Sequence, residues 1–136
     1  MTQASLLEQA KLFRQCFGQE MLRGISTDGI INQDLWEMQL DLIEEECGEL
    51  FDAADQAYAD PENRSRRVEL LKELSDLVFV CYQFAAAFNL NLDESMRRIF
   101  TSNMSKLDDN GNAIYREDGK VLKGPNYKKP NLTDLV

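Results

Sequence analysis

A chain of 136 residues, 43% hydrophobic and 29% charged, has the length and composition of one folded domain with a sizeable core. It contains no histidine. That removes the usual zinc sites, the Ser-His-Asp and Cys-His nucleophile systems and the Glu-x-x-His di-iron bundles, so any catalysis rests on carboxylates, a metal, lysines or hydroxyls. The net charge of −9 argues against binding a nucleic-acid polymer, and no apolar run approaches the roughly 20 residues of a membrane span.

Residues 1–95 carry 7 basic and 19 acidic side chains, net −12, whereas residues 96–136 carry 8 basic and 5 acidic, net +3. The split suits a site where carboxylates hold cations and the tail meets an anion; it equally suits a solvated acidic surface with a basic tail packed against it. Three cysteines, Cys16, Cys47 and Cys81, read as small buried side chains in a reducing compartment, and the N-terminus lacks the pattern of a signal peptide, so a cytoplasmic location is expected.

In chain order, Leu6, Leu7, Ala10, Phe13 and Phe17 mark a first amphipathic helix over residues 3–17. The segment Gly24–Gly29 is loop chemistry. A second helix starts near Asn32 or Asp34, with Asp34 and Glu37 spaced as a capping box, and runs to about Tyr58. Its apolar face holds Trp36, Leu40, Ile43, Cys47, Leu50 and Ala54. Glu46 borders that face and Glu49 lies a little further round, so both are expected to be partly buried, at a cost unless something positive meets them. Gly48 suits close approach of another helix or a ligand, or is simply tolerated. Asp60-Pro61-Glu62 predicts a third helix from Pro61 to Phe88, with Asp60 as N-cap. From Leu77 to Phe88 it is apolar nearly all round and calls for cover from a second subunit. A fourth helix, capped by Asn91 with Glu94 three residues on, covers Leu92–Ser105.

The turn signals Asn110-Gly111 and Glu117-Asp118-Gly119, with Ala113–Tyr115 and Lys120–Leu122 beside them, predict a small two-stranded hairpin followed by an irregular tail. Asp108–Gly111 fails as a calcium loop, because it puts Lys106 at the first ligand position.

The acids carry the chemistry. Glu45, Glu46 and Glu49 on the second helix, and Glu73 and Asp76 on the third, sit at spacings that stack side chains on single helix faces. Two such faces together would repel, and Mg²⁺, which prefers oxygen ligands and keeps places for water and phosphate, resolves the conflict.

Glu45-Glu46-x-x-Glu49, then 23 residues, then Glu73-x-x-Asp76 resembles the signature of the all-α NTP pyrophosphohydrolase superfamily. That superfamily includes MazG-like proteins, dimeric dUTPases, dCTP pyrophosphatases and phosphoribosyl-ATP pyrophosphohydrolases. The resemblance covers Trp36 to Lys106, and the tail from Asn103 through Tyr127 resembles a phosphoribosyl-ATP-pyrophosphohydrolase-like group. It implies an all-α, four-helix MazG-like bundle; with the patterns above this makes a single domain, helical body 1–106 and small C-terminal β-hairpin and tail 107–136, assembled as a homodimer or dimer of dimers through the apolar third helix. It implies Mg²⁺-dependent hydrolysis, with Mn²⁺ as a substitute, of a nucleoside triphosphate between its α- and β-phosphates. By motif position Glu46, Glu49, Glu73 and Asp76 would be metal ligands, and Glu45 would assist metal binding or orient and deprotonate the attacking water. Asn103 and Lys106 would contact sugar or phosphate. Trp36 would stack on a base or belong to the core; Lys123 and Tyr127 would close over phosphates or solvate the hairpin. The rival readings are a phosphoribosyl-ATP pyrophosphohydrolase of histidine synthesis and a non-enzymatic helical oligomerisation module.

Overall fold

The computed structural model describes residues 2–25 and 32–136; residues 26–29 of the expected loop lie outside them. The described residues hold four α-helices, α1 (Leu6–Cys16), α2 (Gln33–Ala59), α3 (Arg64–Ala87) and α4 (Leu92–Met104), with a short 3₁₀ turn at Thr133–Leu135. The chain divides into two compact units, Met1–Leu90 and Asn91–Val136.

In the first unit α1 and α2 both pack on α3. Helix α1 starts at a capping box: the Ser5 hydroxyl accepts from the Glu8 backbone N–H, and the Glu8 carboxylate accepts from the Ser5 N–H. It ends in a Schellman motif, in which Gly18 at φ 63° turns the chain and the Gln19 N–H donates to the Arg14 carbonyl. The N-cap of α2 is Asn32, which accepts from the Leu35 N–H; the Asp34–Glu37 box does not form.

The expected start of α3 at Asp60-Pro61 is corrected. Asp60 closes α2 by donating its N–H to the Gln56 carbonyl, and Asn63 caps α3 by accepting from the Ser65 N–H. The Asp60 carboxylate accepts from the Asn63 side-chain amide and not from a first-turn N–H, so the start moves three residues on.

From Tyr82 to Phe88 most of α3 is buried, and the chain itself supplies the cover. Leu35, Ala87 and Phe88 form a core cluster packed by Leu22, Ile25, Trp36, Phe84 and Leu90. The segment after α1 is tied to it: the Leu22 N–H donates to the Ala87 carbonyl at 2.7 Å and the Asn89 amide to the Arg23 carbonyl at 2.7 Å. Buried Arg14 donates to the Glu20 carbonyl and to the Gln83 side chain. Cover is therefore lacking only further up the helix, where Val78 and Phe79 stay 41% and 40% exposed.

In the second unit the tail folds back on α4. Arg98 holds both Asp134 oxygens, at 2.6 and 3.0 Å, and buried Ser102 donates to the Lys128 carbonyl at 2.8 Å. The expected two-stranded hairpin is absent: the described residues hold one isolated bridge, Tyr115 with Val121, and no sheet. Each flank is three residues long and leaves Tyr115 and Val121 exposed, so no apolar face is buried to sustain a ladder.

Candidate functional site

The buried stripe of α2 is Leu35, Gln39, Ala53 and Ala57. This is not the bulky face expected from the sequence, whose Leu40 is 42% exposed. The small Ala53 and Ala57 suit close packing against α3. Glu46 falls on the same stripe, seven residues from both Gln39 and Ala53, so the helix period carries a carboxylate into the seam. Gly48 plays no part in the packing, since a Cβ there would meet nothing within 4 Å.

On α3 the facing stripe is Arg66, Glu69, Glu73 and Asp76. Among the described residues, carboxylate oxygens of Glu46, Glu49 and Glu73 lie within 4.8 Å of one another. Glu73 is 5% exposed and Glu46 is half-buried, whereas Glu49 is exposed rather than partly buried as expected. Glu45 is exposed beside them. Asp76 is half-buried and near enough for its charge to act on Glu46, but its own carboxylate is held by Lys72, whose Nζ lies 2.9 Å from Asp76 and 3.1 Å from Glu73.

Sequence reasoning missed Lys72 and Glu69. Both were legible as i, i+4 partners, Lys72 of Asp76 and Glu69 of Glu73.

The electrostatics follow from the crowding. Burial, then the charges of Asp76 and Glu73, push the Glu46 carboxyl above the usual carboxylate range. The interaction with Glu73, then the Glu46 charge, pushes the Glu49 carboxyl above its usual range. Lys72, followed by hydrogen bonds that include Glu69, holds Glu73 low.

The residues fit a hard divalent cation. Oε2 of Glu46 and Oε2 of Glu73 are buried without a hydrogen-bond partner, and such orphaned anionic oxygens cost free energy unless a cation meets them. Three oxygens from two helices leave further coordination places for water and phosphate, as Mg²⁺ prefers.

Trp36 packs edge-to-face on Phe84 and Phe88, with ring centroids 5.1 and 5.0 Å away, and is half-buried against the core cluster. The other expected substrate contacts belong to the second unit. Asn103 is exposed in the last turn of α4 and Lys106 lies just beyond it. Lys123 stands over the Tyr127 ring at 4.7 Å. Gly124 between them donates its N–H to the Lys106 carbonyl at 2.8 Å, so the fold brings Lys106, Lys123 and Tyr127 into one neighbourhood. All three cysteines are free, and Cys16 is exposed rather than buried.

Compared with known proteins, residues 13–103 match the family model described as phosphoribosyl-ATP pyrophosphohydrolase. The matched span holds all five acids, Trp36 and Asn103, and stops short of Lys106, Lys123 and Tyr127. No curated protein matches the chain significantly.

Proposed function

Because this chain belongs to the phosphoribosyl-ATP pyrophosphohydrolase family, within the MazG-like NTP pyrophosphohydrolase superfamily, we propose that it is a Mg²⁺-dependent nucleoside triphosphate pyrophosphohydrolase. On this reading it cleaves a (d)NTP between the α- and β-phosphates to (d)NMP and pyrophosphate. The coarser activity, pyrophosphohydrolysis, comes with the family. The observation that carries the finer reading is the convergence of Glu46, Glu49 and Glu73 around two orphaned oxygens.

When bound at these carboxylates, Mg²⁺ supplies charge neutralisation for a polyphosphate and acidifies water. The chain's own residues do the rest. Glu46, Glu49 and Glu73 would hold the ion, and Asp76, now paired with Lys72, would be a fourth ligand. Glu45, exposed beside the cluster, orients the attacking water and takes its proton. Water adds to the α-phosphorus, the bond to the bridging oxygen breaks, and pyrophosphate leaves with the electron pair. Asn103 and Lys106 contact sugar or phosphate, Lys123 and Tyr127 close over phosphates, and the half-buried Trp36 borders the base. The partners are the nucleotide and a second copy of the chain, the latter against the exposed part of α3; no helix among the described residues is long and apolar enough to cross a membrane.

The family that the chain matches favours a second substrate, phosphoribosyl-ATP. One assay separates the readings: pyrophosphate release from a panel of dNTPs, NTPs and phosphoribosyl-ATP, with Mg²⁺ and with EDTA. Metal-dependent release from ordinary nucleotides supports the first reading and release from phosphoribosyl-ATP alone the second. A folded protein that releases none would be the oligomerisation module.

A further inference from the structure

The α2–α3 seam continues past the three carboxylates into an open cleft of about 620 Å³. Glu49 and Glu73 line it nearest the cluster, and Gln56, Asn63, Ser65 and Arg66 line it toward the start of α3. Arg66 stands seven residues before Glu73 on the same face, two turns or about 10 Å along the helix. Its guanidinium is hydrogen-bonded across the cleft to the Gln56 side chain. That bond uses one of five donors and aims the rest.

We propose that Arg66 anchors the pyrophosphate end of the substrate, so that the nucleotide lies along the seam with its β- and γ-phosphates toward the α3 N-terminus. The inference deepens the proposed function and rests on it.

Three observations give the direction. At the cluster end, Oε2 of Glu73 is buried and unpartnered and belongs to a residue lining this same cleft, which puts the cation, and with it the scissile phosphate, at that end. At the other end, Arg66 is the one cation among the lining residues, in the first turn of a 24-residue helix whose dipole favours anions there. A guanidinium is permanently charged and forked to meet two phosphate oxygens. In the opposite direction along α2 the seam turns apolar, where Leu35, Trp36, Phe84 and Phe88 pack, an environment that suits a base and not a polyphosphate. The acids Asp52 and Glu69 also line the cleft, so it admits a polyphosphate accompanied by cations and repels a bare anion. As the bond to the bridging oxygen breaks, charge builds on the departing pyrophosphate, which is where Arg66 would sit.

The test is binding of inorganic pyrophosphate with Mg²⁺ to the full chain by titration calorimetry, in wild type, Arg66→Gln and Arg66→Lys, beside binding of the nucleoside monophosphate. Arg66→Gln should weaken pyrophosphate binding about tenfold and leave the monophosphate unchanged, with Arg66→Lys in between. A wild type that does not bind pyrophosphate, an Arg66→Gln protein that binds it as wild type does, or equal losses for both products would each overturn the anchor. Arg66-dependent pyrophosphate binding in a protein that hydrolyses no nucleotide would leave the anchor standing and remove the hydrolase reading instead.

Discussion

Glu49 on α2 and Glu73 on α3 face each other across the seam, with carboxylate oxygens within 4.8 Å of one another. The interaction with Glu73, then the Glu46 charge, pushes the Glu49 carboxyl above the ordinary carboxylate range, and beside them burial, then the charges of Asp76 and Glu73, push Glu46 up as well.

The pairing sets a pH dependence. For Glu46 and Glu49 the folded-state pKa is raised above the ordinary value near 4.5. Their stabilising contribution is therefore complete below that value and is lost as pH rises through the folded one. Glu73, held low by Lys72, has the opposite sign, and its contribution is already in place above the ordinary range. In EDTA the melting temperature should fall between about pH 5 and pH 8, and in saturating Mg²⁺ that slope should flatten. Melting curves across this range, with and without the metal, check it; a flat profile in EDTA would contradict the crowding.

Removing one ligand should separate folding from turnover. Glu49→Gln and Asp76→Asn keep side-chain shape and relieve like-charge repulsion. Each should lower kcat roughly a hundredfold or more while the protein melts no lower than wild type in EDTA. Full activity in either variant would remove that residue from the site.

Lys72 competes with a metal for the oxygens of Glu73 and Asp76. Its side chain is 58% exposed, so solvent screens the ion pairs and they contribute little to folding. Lys72→Ala should cost little stability and shift the Mg²⁺ midpoint of a thermal-shift titration to lower concentration. A midpoint that moves upward would mean Lys72 assists the metal instead.

Gly124 is a position where the backbone leaves no room. A Cβ there would stand 2.6 Å from the Lys106 carbonyl oxygen and 2.7 Å from that of Leu107. Backbone cannot give way as a flexible side chain does, so Gly124→Ala should cost on the order of 1–3 kcal/mol in the second unit. Faster amide exchange around residues 106–127 and a raised KM should follow, with exchange in α2 and α3 unchanged.

Much of this protein could be read along the chain. The i, i+3 and i, i+4 spacings of the acids need only the helix period, which is local, and so do the caps at Asn32 and Asn91. Glu46 in the seam and Glu73 beneath it follow from the same arithmetic. Other features needed the assembled chain. The cover over Tyr82–Phe88 comes from a segment that returns to α3 through Leu22 and Asn89, a long-range arrangement no window of sequence contains. The hairpin fails because Tyr115 and Val121, the residues that pair, stay exposed with no apolar face to bury, and packing is not a property of the flanks alone. The ligand set divides the same way. Spacing alone proposes four acids at one point, yet a lysine one residue before Glu73 holds Asp76, and only Glu46, Glu49 and Glu73 bring their oxygens within 4.8 Å of one another. Helical period determines which face a carboxylate occupies; which cation or proton meets it there is decided only when two helices come within hydrogen-bonding distance.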